Sequence, residues 1–209
     1  MKDAPPARLY RNNPLIDFAK AANQSQMQTA LALVQGQLGM TVPIVIGGDH
    51  EAGEQLVSRE NPSKHSQVVC QVQYASAAQA QRAVALAERL LPVWREVSVH
   101  ERADVLRRVA AEFERRRHEI NAWMVMEVGK PWREADGDLA EAIDFCTYYA
   151  DEMERLAQPR KRNVPGEWNE YSYEARGVSV IIAPWNFPLA ILTGMTVAAL
   201  VAGNTVVIK

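Results

Sequence analysis

The spacing of apolar residues changes period several times along this chain, and each change predicts a different element. Residues 1–40 read as a polar, partly helical lead-in, in which "SQMQTALALVQGQLG" carries apolar residues at helical spacing and stops at Gly39. "TVPIVIGGD" predicts a short strand ending in a Gly-Gly turn, and "ENPSKHSQVVCQVQYA" an extended segment after a loop. Three helices follow. Ser76 is placed to cap an alanine-rich helix over 77–91, and Ser98 with Glu101 has the capping-box spacing for a second helix running into "ERRRHE". "HEINAWMVMEVGKP" is closed by Gly129, with Pro131 two residues later. From Trp132 to about Leu156 an amphipathic pattern puts Leu139, Ile143, Cys146 and Tyr149 on one face. "RKRNVPGEWNEYSYEARG" then predicts a basic loop, a turn at Pro165-Gly166 and a strand over Glu170–Ala175.

After Gly177 the pattern changes character. "GVSVIIA" is a continuous β-branched run, "PLAILTGMTVAALVAG" is apolar almost all round, and "NTVVIK" is β-branched again. Strand, buried helix and strand in that order predict a βαβ unit of a parallel sheet buried on both faces. The fold class expected is therefore α/β: amino-terminal helices followed by the first βαβ unit of a Rossmann-like sheet. Two strands and one helix cannot cover a parallel sheet, so the sheet is expected to be incomplete, the front of a longer domain.

Composition narrows the function classes. The chain has 209 residues, 48% hydrophobic and 23% charged, the balance of an ordinary globular protein. A net charge of −2 gives no general attraction for nucleic acid or anionic membrane. The start, "MKDAPPARLY", has no apolar core of a signal peptide, and the apolar run 189–202 is too short to span a bilayer. Two cysteines, Cys70 and Cys146, form no disulfide framework, so the expected location is cytoplasmic.

Chemistry concentrates in "IIAPWNFPLA", residues 181–190. Pro184 and Pro188 each fix φ and remove a donor, holding Trp185, Asn186 and Phe187 in a stiff loop between strand and helix. Such turns are where α/β proteins bind ligands, yet the GxGxxG fingerprint of an ordinary dinucleotide fold is missing. Asn186 offers an amide that could stabilise an oxyanion; from spacing alone it serves equally well as a turn cap. Lys209, ending the next strand, stands at the ligand-binding edge of the sheet, although taken alone it reads as a solvated strand-end charge. "RRRHE" at 115–119 reads as a solvated helix face, and His50, His65, His100 and His118 as surface residues without metal spacing. Trp123, Met124 and Met126 read as packing, as do both cysteines.

The stretch "GVSVIIAPWNFPLAILTGMTVAALVAGNTVVIK" resembles the start of the cofactor domain of the aldehyde dehydrogenase superfamily. "MEVGKPWREADGDLAEAIDFCTYYADEM" is similar to its L-glutamate γ-semialdehyde (pyrroline-carboxylate) dehydrogenase branch, which oxidises the semialdehyde to glutamate in proline breakdown. The resemblance covers about residues 43–209. "RLYRNNPLIDFAKAANQSQ" is similar to the region that joins a proline dehydrogenase domain to this enzyme in fused proteins, making 1–42 a lead-in or linker.

The resemblance implies roles residue by residue. Asn186 would complete the oxyanion hole. Ile182, Ala183, Pro184 and Trp185 would line the NAD site, and Lys209 would hydrogen-bond the adenosine ribose. Glu141 and Phe187 would contact the semialdehyde, the carboxylate facing its amino group. The family's nucleophilic cysteine and general-base glutamate lie beyond the position matching Lys209, so this chain alone is expected to be inactive. The family further implies an aldehyde substrate, a homo-oligomer and a link to proline dehydrogenase; the histidine spacing offers no metal site, and net charge with Glu112, Glu114 and Glu119 beside the basic run disfavours nucleic acid. The alternative expectation is a truncated, non-enzymatic interaction module, whose unpaired strand edges would recruit partners.

Overall fold

A computed structural model describes residues 10–209; the opening "MKDAPPARL" lies outside the described residues. Helix α1 (Ala21–Gln35) precedes three short strands, β1 (Met40–Val42), β2 (Ile44–Ile46) and β3 (Asp49–Glu51). A long hairpin follows, β4 (Gln55–Asn61) with β5 (Lys64–Tyr74). Four helices come next: α2 (Ala77–Glu96), α3 (Val99–Arg115), α4 (Arg117–Val128) and α5 (Trp132–Leu156). A small ribbon, β6 (Arg160–Lys161) with β7 (Glu170–Tyr171), leads to β8 (Val178–Ile181), α6 (Ala190–Val201) and β9 (Thr205–Ile208).

The expected punctuation is where the chain turns. Ser76 and Ser98 each close a reciprocal capping box, with Gln79 and Glu101. Gly129 ends α4 in the left-handed region at φ 71°. The β8–α6–β9 unit is parallel, as the β-branched runs require, with Val178 opposite Thr205 and Ile181 opposite Ile208.

Other elements depart from the pattern for identifiable reasons. "TVPIVIGGD" is two strands, because Pro43 has no N–H for a ladder. β1 joins β5 in parallel, while β2 folds back on β3 through Gly47-Gly48. Strand β4 was not anticipated; its partner β5 and a bulge at Arg59–Asn61 define it. Helix α2 continues past residue 91 to Glu96 with Pro92 inside, and its last turn is anchored where Trp94 Nε1 donates to Leu200 O (3.0 Å). The strand expected over Glu170–Ala175 is only Glu170–Tyr171, since its partner offers just Arg160–Lys161.

Helix α5 runs through the core. Leu139, Ile143, Cys146 and Ala150 are buried against Leu106 of α3, Met124 of α4, and Val197 and Val201 of α6. A second cluster joins α1 to α4 through Met27, Ala30, Val34 and Ala122, with Trp123, Met126 and Trp132 packed on it. Trp123, Met124 and Met126 thus pack as their spacing predicts.

The basic run is divided. Arg115 and Arg116 pair with Glu112 and Glu119 on the surface, as a solvated face would. Arg117 does not. It is 6% exposed and donates two parallel hydrogen bonds to Asp136 of α5, at 2.7 and 2.9 Å, and one to Pro14 O. Asn121 Nδ2 and the Ile16 N–H also donate to Asp136 (3.0 and 2.7 Å). His118, expected at the surface, is half-buried; its Nε2 has no partner among the described residues, and burial lowers its pKa. Asp144, two turns beyond Asp136, accepts from Asn13 N and from the hydroxyl of Tyr10, whose own pKa is pushed up to about 12, chiefly by burial. Residues 10–16 are thereby strapped across α5.

Removing one partner of a buried bidentate pair strands the other charge. Arg117→Met is expected to lower unfolding free energy by about 3–5 kcal/mol, whereas Arg115→Ala changes it by about 0.5 kcal/mol or less. Urea unfolding of the two variants checks both values.

Candidate active site

The site starts from strand pairing. β8 and β9 lie parallel, so their carboxyl ends emerge side by side, and the Lys209 N–H donates to Ile181 O at 3.0 Å. That bond brings Lys209 to the point where the loop 182–189 leaves the sheet. Asn204, buried just before β9, fixes the other end of β8: its Oδ1 accepts from the N–H groups of Arg176 and Gly177 (2.6 and 2.9 Å). Its signal in the sequence is a polar residue wedged between Gly203 and the β-branched run 205–208.

The loop stands proud of the sheet. Ile182 and Trp185 are 59% and 77% exposed, Phe187 is 41% exposed, Asn186 is exposed, and Ala183 is half-buried. Among the described residues nothing hydrogen-bonds the Asn186 side chain, so its amide caps no turn and is left uncommitted. A cleft of about 310 Å³ runs beside Trp185, lined by Arg59, Glu60, His65, Glu127 and Val128.

What holds the loop comes from elsewhere. Helix α6 opens at Leu189 with no side-chain cap of its own. The acceptor for its first N–H is Asp138 of α5: Ala190 N lies 2.6 Å from Asp138 Oδ1. Asp138 is 2% exposed, and its second oxygen takes Lys130 Nζ at 2.5 Å. The same Nζ sits 4.4 Å from the centroid of the Phe187 ring. Neither Asp138 nor Lys130 stands out in the sequence, because the Asp138–Ala190 contact that gives the pair its place spans 52 positions. Glu141 is half-buried one turn beyond Asp138 on α5, on the same flank of the helix that reaches the loop.

The cysteines sit apart from this loop. Cys146 is fully buried in the α5 core and its thiol pKa is raised to about 12 by burial. Cys70 is buried in β5, its pKa also raised, chiefly by burial. Neither has the depressed pKa of an activated thiol. Among the described residues no group of three or more His, Cys, Asp or Glu side chains could hold a metal ion, and no helix is long and apolar enough to cross a membrane.

Residues 49–209 match the sequence profile of the aldehyde dehydrogenase family. The chain belongs to this family. Among curated aldehyde dehydrogenase relatives, the 1-pyrroline-5-carboxylate dehydrogenase of Geobacillus kaustophilus is 46% identical over 201 residues, covering 96% of this chain and 39% of the relative. Two solved structures superpose closely. Proline utilization A (PutA) from Bdellovibrio bacteriovorus gives a TM-score of 0.94 at 45% identity, over 99% of this chain and 22% of its own. The 1-pyrroline-5-carboxylate dehydrogenase from Thermus with bound NAD gives 0.92 at 38% identity, over 98% of this chain and 40% of its own. The chain therefore spans about two fifths of the curated aldehyde dehydrogenases it matches.

Because only thiolate reacts rapidly, neither Cys70 nor Cys146 is expected to be alkylated by iodoacetamide in the folded chain at neutral pH, and both in urea. Intact-mass spectrometry before and after denaturation reads the outcome.

Proposed function

We propose that this chain forms the front of an NAD-dependent L-glutamate γ-semialdehyde dehydrogenase, the enzyme that oxidises the semialdehyde to glutamate in proline catabolism. The observation that carries the reading is the uncommitted Asn186 amide, on a stiff loop that leaves the carboxyl edge of a parallel sheet where Lys209 bonds Ile181. The long match to 1-pyrroline-5-carboxylate dehydrogenases supports the substrate class.

The residues present suit the cofactor. An exposed apolar wall, Ile182 and Trp185, adjoins a lysine at the sheet edge where α/β folds take nucleotides. In this reading Ile182, Ala183, Pro184 and Trp185 line the NAD site and Lys209 donates to the adenosine ribose. NAD, when bound, accepts the hydride. Asn186 donates its amide N–H to the oxygen of the attacked aldehyde, where negative charge develops. Phe187 walls the aldehyde from water, and Glu141 faces the α-ammonium of the semialdehyde. The nucleophile and general base are supplied from outside these residues, since both thiols here are buried, so the chain alone is inactive.

The protein is further proposed to be cytoplasmic, to assemble as a homo-oligomer and to be fused to, or to work with, proline dehydrogenase; the likeness to proline utilization A supports the last point. The division into a lead-in over 1–42 and the front of the NAD-binding domain over 43–209 has in its favour only a family match that begins at residue 49, since α1 packs on α4 and β1 pairs with β5.

The test joins this chain to the complementary segment of the Geobacillus kaustophilus relative. Asn186→Ala in that chimera is expected to lower kcat by about 10²–10³, the cost of one oxyanion donor, while NAD binding followed by tryptophan fluorescence stays unchanged. An unchanged kcat removes Asn186 from the mechanism.

A further inference from the structure

We propose that Asp138 and Lys130 form a positioning pair that sets the register of the loop carrying Asn186 and Phe187. The inference deepens the reading above and rests on it for the role of Asn186.

The need for such a pair follows from the loop itself. The first N–H groups of any helix lack intrahelical acceptors. In α6 no serine, threonine, aspartate or asparagine stands at the cap, and the first turn holds no acidic residue. Nothing local therefore fixes where the helix begins, although the loop must deliver Asn186 to within about 0.5 Å of its working place. Asp138 supplies the missing acceptor from another helix, at 2.6 Å from Ala190 N, and its negative charge complements the helix dipole.

The approach is made possible by close packing one turn further on. A Cβ at Gly194 would lie 2.8 Å from the Phe145 ring of α5, so only glycine lets α6 come this near. A buried carboxylate then demands a counter-charge. Lys130 provides it from the turn between α4 and α5, a turn that the left-handed Gly129 makes possible. Having neutralised Asp138, the ammonium also faces the Phe187 ring at 4.4 Å. The loop is thus held at two points on the carboxyl side of Asn186. Ala190 is held by the carboxylate and Phe187 by the ammonium, while Trp185 and Asn186 are left free to meet ligands. A pair serving stability alone has no need of the second contact.

The experiment replaces the pair together, D138L with K130M, because a buried ion pair exchanged for apolar side chains preserves the fold, whereas loss of one partner strands the other. In the 209-residue chain, hydrogen–deuterium exchange of the segment around Ala190 is expected to quicken about tenfold or more in the double variant, with α3 unchanged. In the chimera, kcat is expected to fall about tenfold or more, and to fall no further when the pair is replaced on the Asn186→Ala background. Unchanged exchange, a faster-exchanging loop with kcat intact, or losses that multiply with Asn186→Ala would each overturn the proposal. A wild-type chimera that binds NAD but oxidises no semialdehyde sinks the enzymatic reading instead, and the exchange result then decides whether the pair holds the loop.

Discussion

A carboxylate taken out of water has to find donors, and helix α5 buries two of them, Asp136 and Asp138. Much of the arrangement around the helix can be read as the answer to that constraint. Asp136 points to one side, where Arg117, Asn121 and the backbone of Ile16 satisfy it, tying α4 and the strap 10–16 to α5. Asp138, two residues on, points to another, where Lys130 and the Ala190 N–H satisfy it, tying in α6. A helix packed only by Leu139, Ile143 and Cys146 could slide or rotate against apolar neighbours at small cost. The carboxylates give it a fixed register, since each has one set of partners in reach.

That register reaches the loop. β8 and β9 define where the loop leaves the sheet, and Asp138 defines where it re-enters helix. Between those two points prolines at 184 and 188 remove much of the remaining freedom. The result is a short exposed ridge in which, among the described residues, the side chains of Trp185 and Asn186 take part in no hydrogen bond. Residues left unsatisfied on an otherwise over-determined loop are the ones a ligand can use.

Local chemistry made much of the fold legible in the sequence. The cap at Ser76, the capping box at Ser98, the glycine at 129 and the β-branched runs flanking α6 are short-range signals, and the chain obeys each of them. Contacts between distant positions were not legible. Arg117 looks like its neighbours Arg115 and Arg116 in a basic run, and only the position of Asp136 on another helix distinguishes it. Arg102 is a similar case: it is 5% exposed and donates to Val201 O at the end of α6 (2.9 Å), which nothing in "VHERADVL" announces. In the candidate site the pattern repeats. The loop residues 182–187 and Lys209 were readable from their motif, while Asp138, Lys130 and Asn204, which hold that motif in place, were not.

The role proposed for these residues is to build the cofactor-facing front of a semialdehyde-oxidising site. The most direct measurement is NADH formation from L-glutamate γ-semialdehyde by the chimera with the Geobacillus kaustophilus segment, compared with a plain aldehyde that lacks the α-ammonium and carboxylate. Turnover of the semialdehyde is expected at a clearly higher kcat/KM than that of the plain aldehyde. A folded, NAD-binding chimera that forms no NADH, or that treats the two aldehydes alike, would contradict it.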